Sequence, residues 1–128
     1  MLVHDESGSA PLRDSRTSMR LHALDAWVRD TAVLTDAGAL REILRAGAEA
    51  GGAAVVGEEF HVFPNGAVTG VLVLAQSHLS IHTWPEFGLA NVDLLSYGDV
   101  RAGEVLRVIC EKLHVVRSSV SSLRRAVG

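Results

Sequence analysis

Residues 71–86 read VLVLAQSHLSIHTWPE, an apolar run followed at once by a segment dense in polar and ionisable side chains. The run at 71–75 has the length and apolar character of a buried strand. Beyond it, polar residues alternate with Leu79 and Ile81, which predicts that extended structure continues through the segment. A strand that turns abruptly polar leaves the core for a surface or a cleft. We therefore expect the functional site here.

The spacing of His78 and His82 raises the alternative of a metal site. On a helix, this four-residue spacing would place both imidazoles on one face, ready to bind zinc. On a strand it separates them by roughly 13 Å, too far for one metal ion to bridge. The β-branched Ile81 favours a strand, and Pro85 would interrupt a helix. We therefore expect no metal site, and the single Cys110 contributes no further ligand.

The segment from Ser77 to Glu86 resembles the self-cleavage site of the prokaryotic S-adenosylmethionine decarboxylases, which are pyruvoyl enzymes. In that family a serine is followed by His-x-Ser-Ile-His-Thr-Trp-Pro-Glu, and this chain matches the pattern throughout. A match of this length and mixed composition is much more specific than a lone glycine motif. Looser resemblance begins at about residue 21 and includes 61–63, 66–70 and 91–95.

The resemblance implies that Ser77 builds the electron sink that a decarboxylase needs, because protein side chains lack a good electrophilic carbonyl. Its hydroxyl would attack the carbonyl of Gln76 and convert the amide to an ester. Elimination would then cut the chain into residues 1–76, the beta chain, and residues 77–128, the alpha chain. Ser77 would become a pyruvoyl group, a covalent cofactor whose ketone forms a Schiff base with a substrate amine.

The same resemblance implies roles for four further residues. His82 matches a histidine that moves protons during processing. Thr69 stands where the family has a hydroxyl residue, usually serine, that assists processing. Phe63 matches an aromatic that stacks on the adenine of the substrate. Glu86 matches a carboxylate near the substrate, suited to accept two hydrogen bonds from a ribose diol or to pair with a cation.

Two positions depart from the family pattern. Gln76 replaces a common glutamate, and we expect this to be tolerated because the residue contributes its backbone carbonyl to the acyl shift. Tyr97 replaces the cysteine that protonates the decarboxylated intermediate. Tyrosine can donate a proton, but its ordinary pKa of about 10 exceeds the value of about 8.5 for cysteine, and it is bulkier. The open alternatives are that Tyr97 is the acid, that water acts instead, that the substrate is smaller, or that activity is lost.

The composition predicts one globular domain, with 128 residues of which 48% are hydrophobic. A formal net charge of −3 argues against a nucleic-acid surface. No apolar run approaches the ~20 residues that span a bilayer, and a single cysteine fits a reducing cytoplasm. Residues 1–18 carry no hydrophobic stretch, so we expect a flexible tail there and a single decarboxylase domain at 19–128.

Hydrophobic periodicity predicts alternating strands and helices after the tail. Strands are expected at 21–28, 53–60, 68–75 and 89–96, with Val115 to Leu123 as a last edge strand. Asp36 is expected to cap a helix that ends at Gly51, and Ala102 to Leu113 form a second helix.

These elements predict an α+β fold, an antiparallel sheet with helices on one face. The other face of the sheet must also be covered, which favours a homodimer. The family resemblance implies the same, with two chains forming a layered α/β/β/α sandwich.

Three functions remain open. The leading one is a pyruvoyl-dependent decarboxylase acting on S-adenosylmethionine for spermidine synthesis, favoured by Phe63, Glu86 and the complete motif. The second is an arginine or ornithine decarboxylase of the same family. The third is a catalytically inactive homologue with a binding or regulatory role; Tyr97 motivates both alternatives. For either enzyme we expect a small-molecule substrate, with no nucleic acid or membrane as partner.

Overall fold

The computed structural model describes residues 3–5 and 19–126. Within these ranges, seven strands form one sheet and two helices pack against it. The strands are β1 (Val3–Asp5), β2 (Met19–Val28), β3 (Val55–Val62), β4 (Val68–Leu74), β5 (His78–Trp84), β6 (Leu89–Tyr97) and β7 (Val115–Arg125). The helices are α1 (Ala37–Ala50) and α2 (Ala102–Lys112), with short 3-10 helices at Thr31–Thr35 and Pro85–Phe87.

The sheet has the spatial order β1-β7-β2-β6-β5-β4-β3. Strands β2 to β7 pair antiparallel, as predicted, whereas β1 pairs parallel to β7. The prediction that Val115 to Leu123 is an edge strand is wrong, because β7 has β2 on one side and β1 on the other. The added strand falls within the predicted tail, where polar composition gave no sign of it. The other tail residues, 1–2 and 6–18, lie outside the described ranges.

The motif forms a strand of its own. β4 ends at Leu74, the chain bends at 75–77, and β5 runs back antiparallel to β4. The motif is extended, as the alternation predicts, and the reversal at 75–77 separates it from the apolar run. Folding back pairs Leu72 with Leu79, which buries both strands' apolar residues on one face. Gln76 and Ser77 consequently lie in the connection of a hairpin, where the Leu74 N–H donates to the Ser77 carbonyl at 2.9 Å.

The two helices form as the sequence predicts. The Asp36 side chain caps α1 by accepting a hydrogen bond from the N–H of Ala39. The helices touch at Gly47, where an added methyl group would lie 2.8 Å from Cγ1 of Ile109. A glycine is needed there because the helices approach so closely. In the described ranges, neither helix is both long and apolar enough to cross a membrane.

The core lies between the helices and one face of the sheet. Strand residues that reach it include Leu24, Ala26, Leu72, Leu79, Ile81, Val92 and Leu94. Because side chains alternate along a strand, their neighbours project from the opposite face, which we call the open face. It carries Asp25, Thr69, His78, Ser80, His82, Trp84, Asn91 and Asp93. Apart from the buried Thr83, the polar residues of β5 therefore point away from the helices.

Candidate active site

The predicted site residues gather at two opposite ends of β5. Gln76, Ser77 and Tyr97 lie at its start, which we call the cleavage end. Thr69, Phe63, His82 and Glu86 lie toward its finish, which we call the histidine end. Ser77 precedes His82 by five residues of extended chain. At ~3.3 Å per residue, about 16 Å separates them, so the motif does not fold into one compact site.

The cleavage end combines an exposed Gln76 with a half-buried Ser77. A cavity of about 200 Å³ opens beside them, lined also by Asp99, Val100 and the loop at 52–54. Gly98 follows Tyr97 with φ of 70°, a left-handed conformation that favours glycine. A side chain at Gly98 would also lie 3.0 Å from Oε1 of Gln76. The chain thus keeps this end open around the bond before Ser77.

Tyr97 is half buried at the end of β6, beside the cleavage end. Leu95 pairs with His78, so Tyr97 extends two residues further toward Gln76. Ser96 points to the helix side, as strand alternation predicts: its hydroxyl lies 3.0 Å from Nε2 of His22. Nδ1 of His22 lies 2.9 Å from the hydroxyl of the buried Ser122. Ser96 is therefore committed to a buried network, away from the open face.

The histidine end is organised around the imidazole of His82. Thr69 pairs with His82 across the hairpin, and Oγ1 of Thr69 lies 2.7 Å from Nδ1 of His82. Phe63 and Trp84 flank the same ring edge to face, with centroids 5.8 Å and 4.5 Å away. The hydroxyl fixes the ring's orientation, so Nε2 is the nitrogen placed to exchange a proton with a ligand.

A cavity of about 440 Å³ at the histidine end brings three predicted residues together. Phe63, His82 and Glu86 line it, with Trp84 and the turn at 64–67 completing its wall. Aromatic faces, an imidazole and a carboxylate around one concave space suit a ligand with both a flat ring and polar groups. A larger groove of about 590 Å³ lies beside the helices and contains none of the motif residues.

Sequence reasoning assigned no role to Asn91 or Asp25, which the structure connects to this cavity. Nε1 of Trp84 donates to Oδ1 of Asn91 at 2.6 Å, and Nδ2 of Asn91 donates to Oδ1 of Asp25 at 2.7 Å. Strand register places Thr69, His82, Asn91 and Asp25 in one row across four strands. An amide and a carboxylate on a polar sheet face are too common in sequence to be singled out.

Asp93 lies one step along β6 from this row. Burial raises the pKa of the Asp93 carboxyl, the negative charge of Asp25 raises it further, and His78 opposes the rise. The open face therefore holds two mutually repelling carboxylates near its centre.

Comparisons with known proteins bear on the family of the chain. A family profile described as S-adenosylmethionine decarboxylase matches residues 20–126. The chain is 40% identical over 90 residues to the S-adenosylmethionine decarboxylase proenzyme of Pseudomonas paraeruginosa, a match that covers 70% of this chain and 56% of that protein. The chain thus spans little more than half the length of this relative. It is 38% identical over 103 residues to the corresponding proenzyme of Parasynechococcus marenigrum, covering 80% of each.

A solved structure shares the fold. The crystal structure of the adenosylmethionine decarboxylase from Aquifex aeolicus superimposes with a TM-score of 0.80 at 28% identity, covering 88% of this chain and 94% of that one. The profile match runs from the first long strand to the last. The chain belongs to the S-adenosylmethionine decarboxylase family.

Proposed function

We propose that this chain is a self-cleaving decarboxylase that acts on S-adenosylmethionine and supplies aminopropyl groups for spermidine synthesis. The observation that carries the proposal is the cavity shared by Phe63, His82 and Glu86, residues that are spread over 24 positions of the sequence. The names of the relatives, which are proenzymes acting on S-adenosylmethionine, support the same substrate and a maturation step.

Maturation would take place in the connection between β4 and β5. Oγ of Ser77 attacks the carbonyl carbon of Gln76, the C–N bond breaks, and the amide becomes an ester while the freed nitrogen takes up a proton. Loss of the Cα proton of Ser77 expels the Gln76 carboxylate and leaves dehydroalanine. Its imine tautomer reacts with water, releases ammonia and leaves a pyruvoyl group.

The connection fits such a group. Ser77 is half buried beside the cavity of about 200 Å³, and the hydrogen bond from Leu74 anchors its carbonyl. The group supplies a ketone that accepts the electrons released when carbon dioxide leaves. Tyr97, at the same end of the sheet, is the nearest predicted acid for the substrate carbon.

His82 lies too far from Ser77 to move protons for it within one chain. A second copy turned by a two-fold axis would bring the histidine end of one chain against the cleavage end of the other. We therefore propose a homodimer in which two open faces meet as an α/β/β/α sandwich. Val73 and Leu123 support this packing, because they are apolar residues of the open face that remain 47% and 42% exposed.

The histidine end would bind the nucleoside. Phe63 and Trp84 offer faces to adenine and to the sulfonium, and the Glu86 carboxylate accepts hydrogen bonds from the ribose diol. We expect carbon dioxide release to be faster from S-adenosylmethionine than from arginine or ornithine. Glu86→Gln should raise the KM for S-adenosylmethionine about tenfold, as expected for a lost hydrogen bond to a charged group.

Isotopic carbon dioxide release from the three substrates, measured on cleaved protein, tests this assignment. The free amino acids serve as the control for Glu86→Gln, because they carry no ribose. A preference for arginine or ornithine would contradict this assignment and favour an arginine or ornithine decarboxylase. Cleaved protein that releases no carbon dioxide from any of them would favour the inactive homologue.

A further inference from the structure

We propose that Asn91 is a positioning residue that fixes the Trp84 indole in the wall of the ligand cavity. Asp25 in turn fixes the orientation of the Asn91 amide. The hydrogen bonds of the Asn91 side chain are made to Trp84 and Asp25, and we infer that it acts through Trp84. The ligand in this inference, a nucleoside, rests on the proposed function. The contacts that carry it are internal to the chain.

Burial within a single chain does not by itself restrain Trp84. Its side chain is 39% exposed at the last position of β5, and the ring meets His82 on one side at 4.5 Å. An exposed indole can adopt several rotamers unless a polar contact selects one. The 2.6 Å bond from its Nε1 to Asn91 provides that contact.

Asp25 determines which way the Asn91 amide points. An indole N–H can only donate, and an ionised carboxylate can only accept. Asn91 lies between one of each, so its oxygen must face Trp84 and its NH₂ must face Asp25. The two observed bonds, 2.6 Å and 2.7 Å, have this polarity. No other pairing of the amide satisfies both neighbours.

The position of the Trp84 ring affects the shape of the ligand cavity. Trp84 packs against His82, whose other side faces Phe63, and all three line the cavity. Loosening Trp84 would widen one wall without removing a reacting group. We therefore expect a higher KM with kcat and self-cleavage unchanged, a split between KM and kcat that a general loss of stability would not produce.

Exchange of the two polar residues provides the test. Asn91→Leu removes both bonds, and Asn91→Asp places two carboxylates side by side; each should raise the KM for S-adenosylmethionine about fivefold. Combining Asn91→Asp with Asp25→Asn lets the new carboxylate accept from both Trp84 and the new amide. The double variant should therefore recover a KM within about twofold of the original protein.

Asp93→Asn is the matched control. It removes one carboxylate from the same face and from the strand that carries Asn91. The hydrogen bonds from Trp84 to Asn91 and from Asn91 to Asp25 stay in place, so the KM should be unchanged. Self-cleavage, followed by denaturing gel, should be complete in every variant. A double variant no better than Asn91→Asp alone would overturn the inference.

A second readout is independent of turnover. The chain has two tryptophans, so a Trp27→Phe background isolates the fluorescence of Trp84. Asn91→Leu should increase quenching by acrylamide, and the exchange double variant should reverse that increase. These results would support the positioning role even if the protein failed to decarboxylate S-adenosylmethionine. Identical quenching in Asn91→Leu and the parent would contradict it.

Discussion

At the scale of single residues, the main departure from the family's chemistry is Tyr97, which stands where the family has a proton-donating cysteine. It lies at the cleavage end with Ser77 and not at the histidine end, which is the end where we propose that the substrate carbon is protonated. Gly98 keeps the backbone beside it tightly turned. The position fits either an acid or a wall of the site, and only removal of the hydroxyl separates the two.

Tyr97→Phe keeps the ring and removes the proton. If Tyr97 is the acid, the variant should cleave normally but decarboxylate about 100-fold more slowly, the range expected for a lost general acid. Tyr97→Cys, which restores the family's residue in a roomier site, should exceed the original protein's turnover. Single-turnover carbon dioxide release measures both. Equal rates for Tyr97→Phe and the parent would show that Tyr97 is a wall.

The sequence motif predicts which side chains belong to the site, but their nearness in sequence hides how far apart Ser77 and His82 lie in the fold. Ser77 and His82 are close in sequence, yet an extended strand carries each further residue ~3.3 Å away. Asn91 and Asp25 were missed for a related reason. Their importance comes from cross-strand register among β5, β6 and β2, which no local pattern contains.

At the scale of elements, α1 is tied to the edge strand β3 by ion pairs. Arg41 and Arg45 both donate to the Glu58 carboxylate, at 2.6 Å and 2.5 Å. The Arg41 hydrogen bond lowers the pKa of Glu58 below its ordinary 4.5, and the Arg45 hydrogen bond lowers it further. β3 has no fully buried residue, so these pairs add to its pairing with β4 in stabilising the strand that leads to Phe63.

A lowered pKa makes the contribution of Glu58 dependent on pH. The stabilisation is present above about 4.5 and is lost as pH falls through the native pKa, because protonation removes the charge. Glu58→Gln should therefore melt at a lower temperature than the parent at pH 7, and this deficit should shrink as pH falls below 4.5. Thermal unfolding followed by circular dichroism measures this. Glu49→Gln, an exposed glutamate of α1, is the control; a Glu58→Gln deficit that does not shrink as pH falls would contradict the ion-pair account.

Element boundaries followed closely from periodicity and capping. The Asp36 cap, the Gly51 stop and the second helix all form within about a residue of their predicted limits. The 3-10 helix at Thr31–Thr35 was not predicted. It is held by the buried Thr83, whose hydroxyl donates to the Leu34 carbonyl at 2.7 Å and accepts from the Val68 N–H at 2.8 Å. Such contacts depend on strands that meet only in the folded chain.

At the scale of the whole molecule, we propose that the two ends of β5 form complementary halves of one site. The cleavage end would supply the bond to be cut and a candidate acid, and the histidine end would supply a proton-transfer pair and the ligand cavity. A two-fold dimer of open faces would join these halves twice, which is why we expect the functional unit to contain two chains.

Mixing two inactive variants tests this arrangement. Ser77→Ala and His82→Ala should each remain uncut. In a mixed dimer, the intact Ser77 of the His82→Ala chain meets the intact His82 of the other chain, so only the His82→Ala chain should be cut. Mass-tagged chains refolded together and separated on a denaturing gel reveal which one is cleaved. No cleavage in verified mixed dimers would show that both residues must belong to one chain.

Intact-mass spectrometry of the purified wild-type protein tests the central claim, self-cleavage at Ser77, most directly. We predict two fragments, residues 1–76 and residues 77–128, with the second lighter by about 17 Da than a fragment beginning with serine, because ammonia leaves when the ketone forms. Ser77→Ala, measured in parallel, should give one chain of 128 residues. An uncut wild-type chain after long incubation, or a second fragment that begins with an intact serine, would contradict the account.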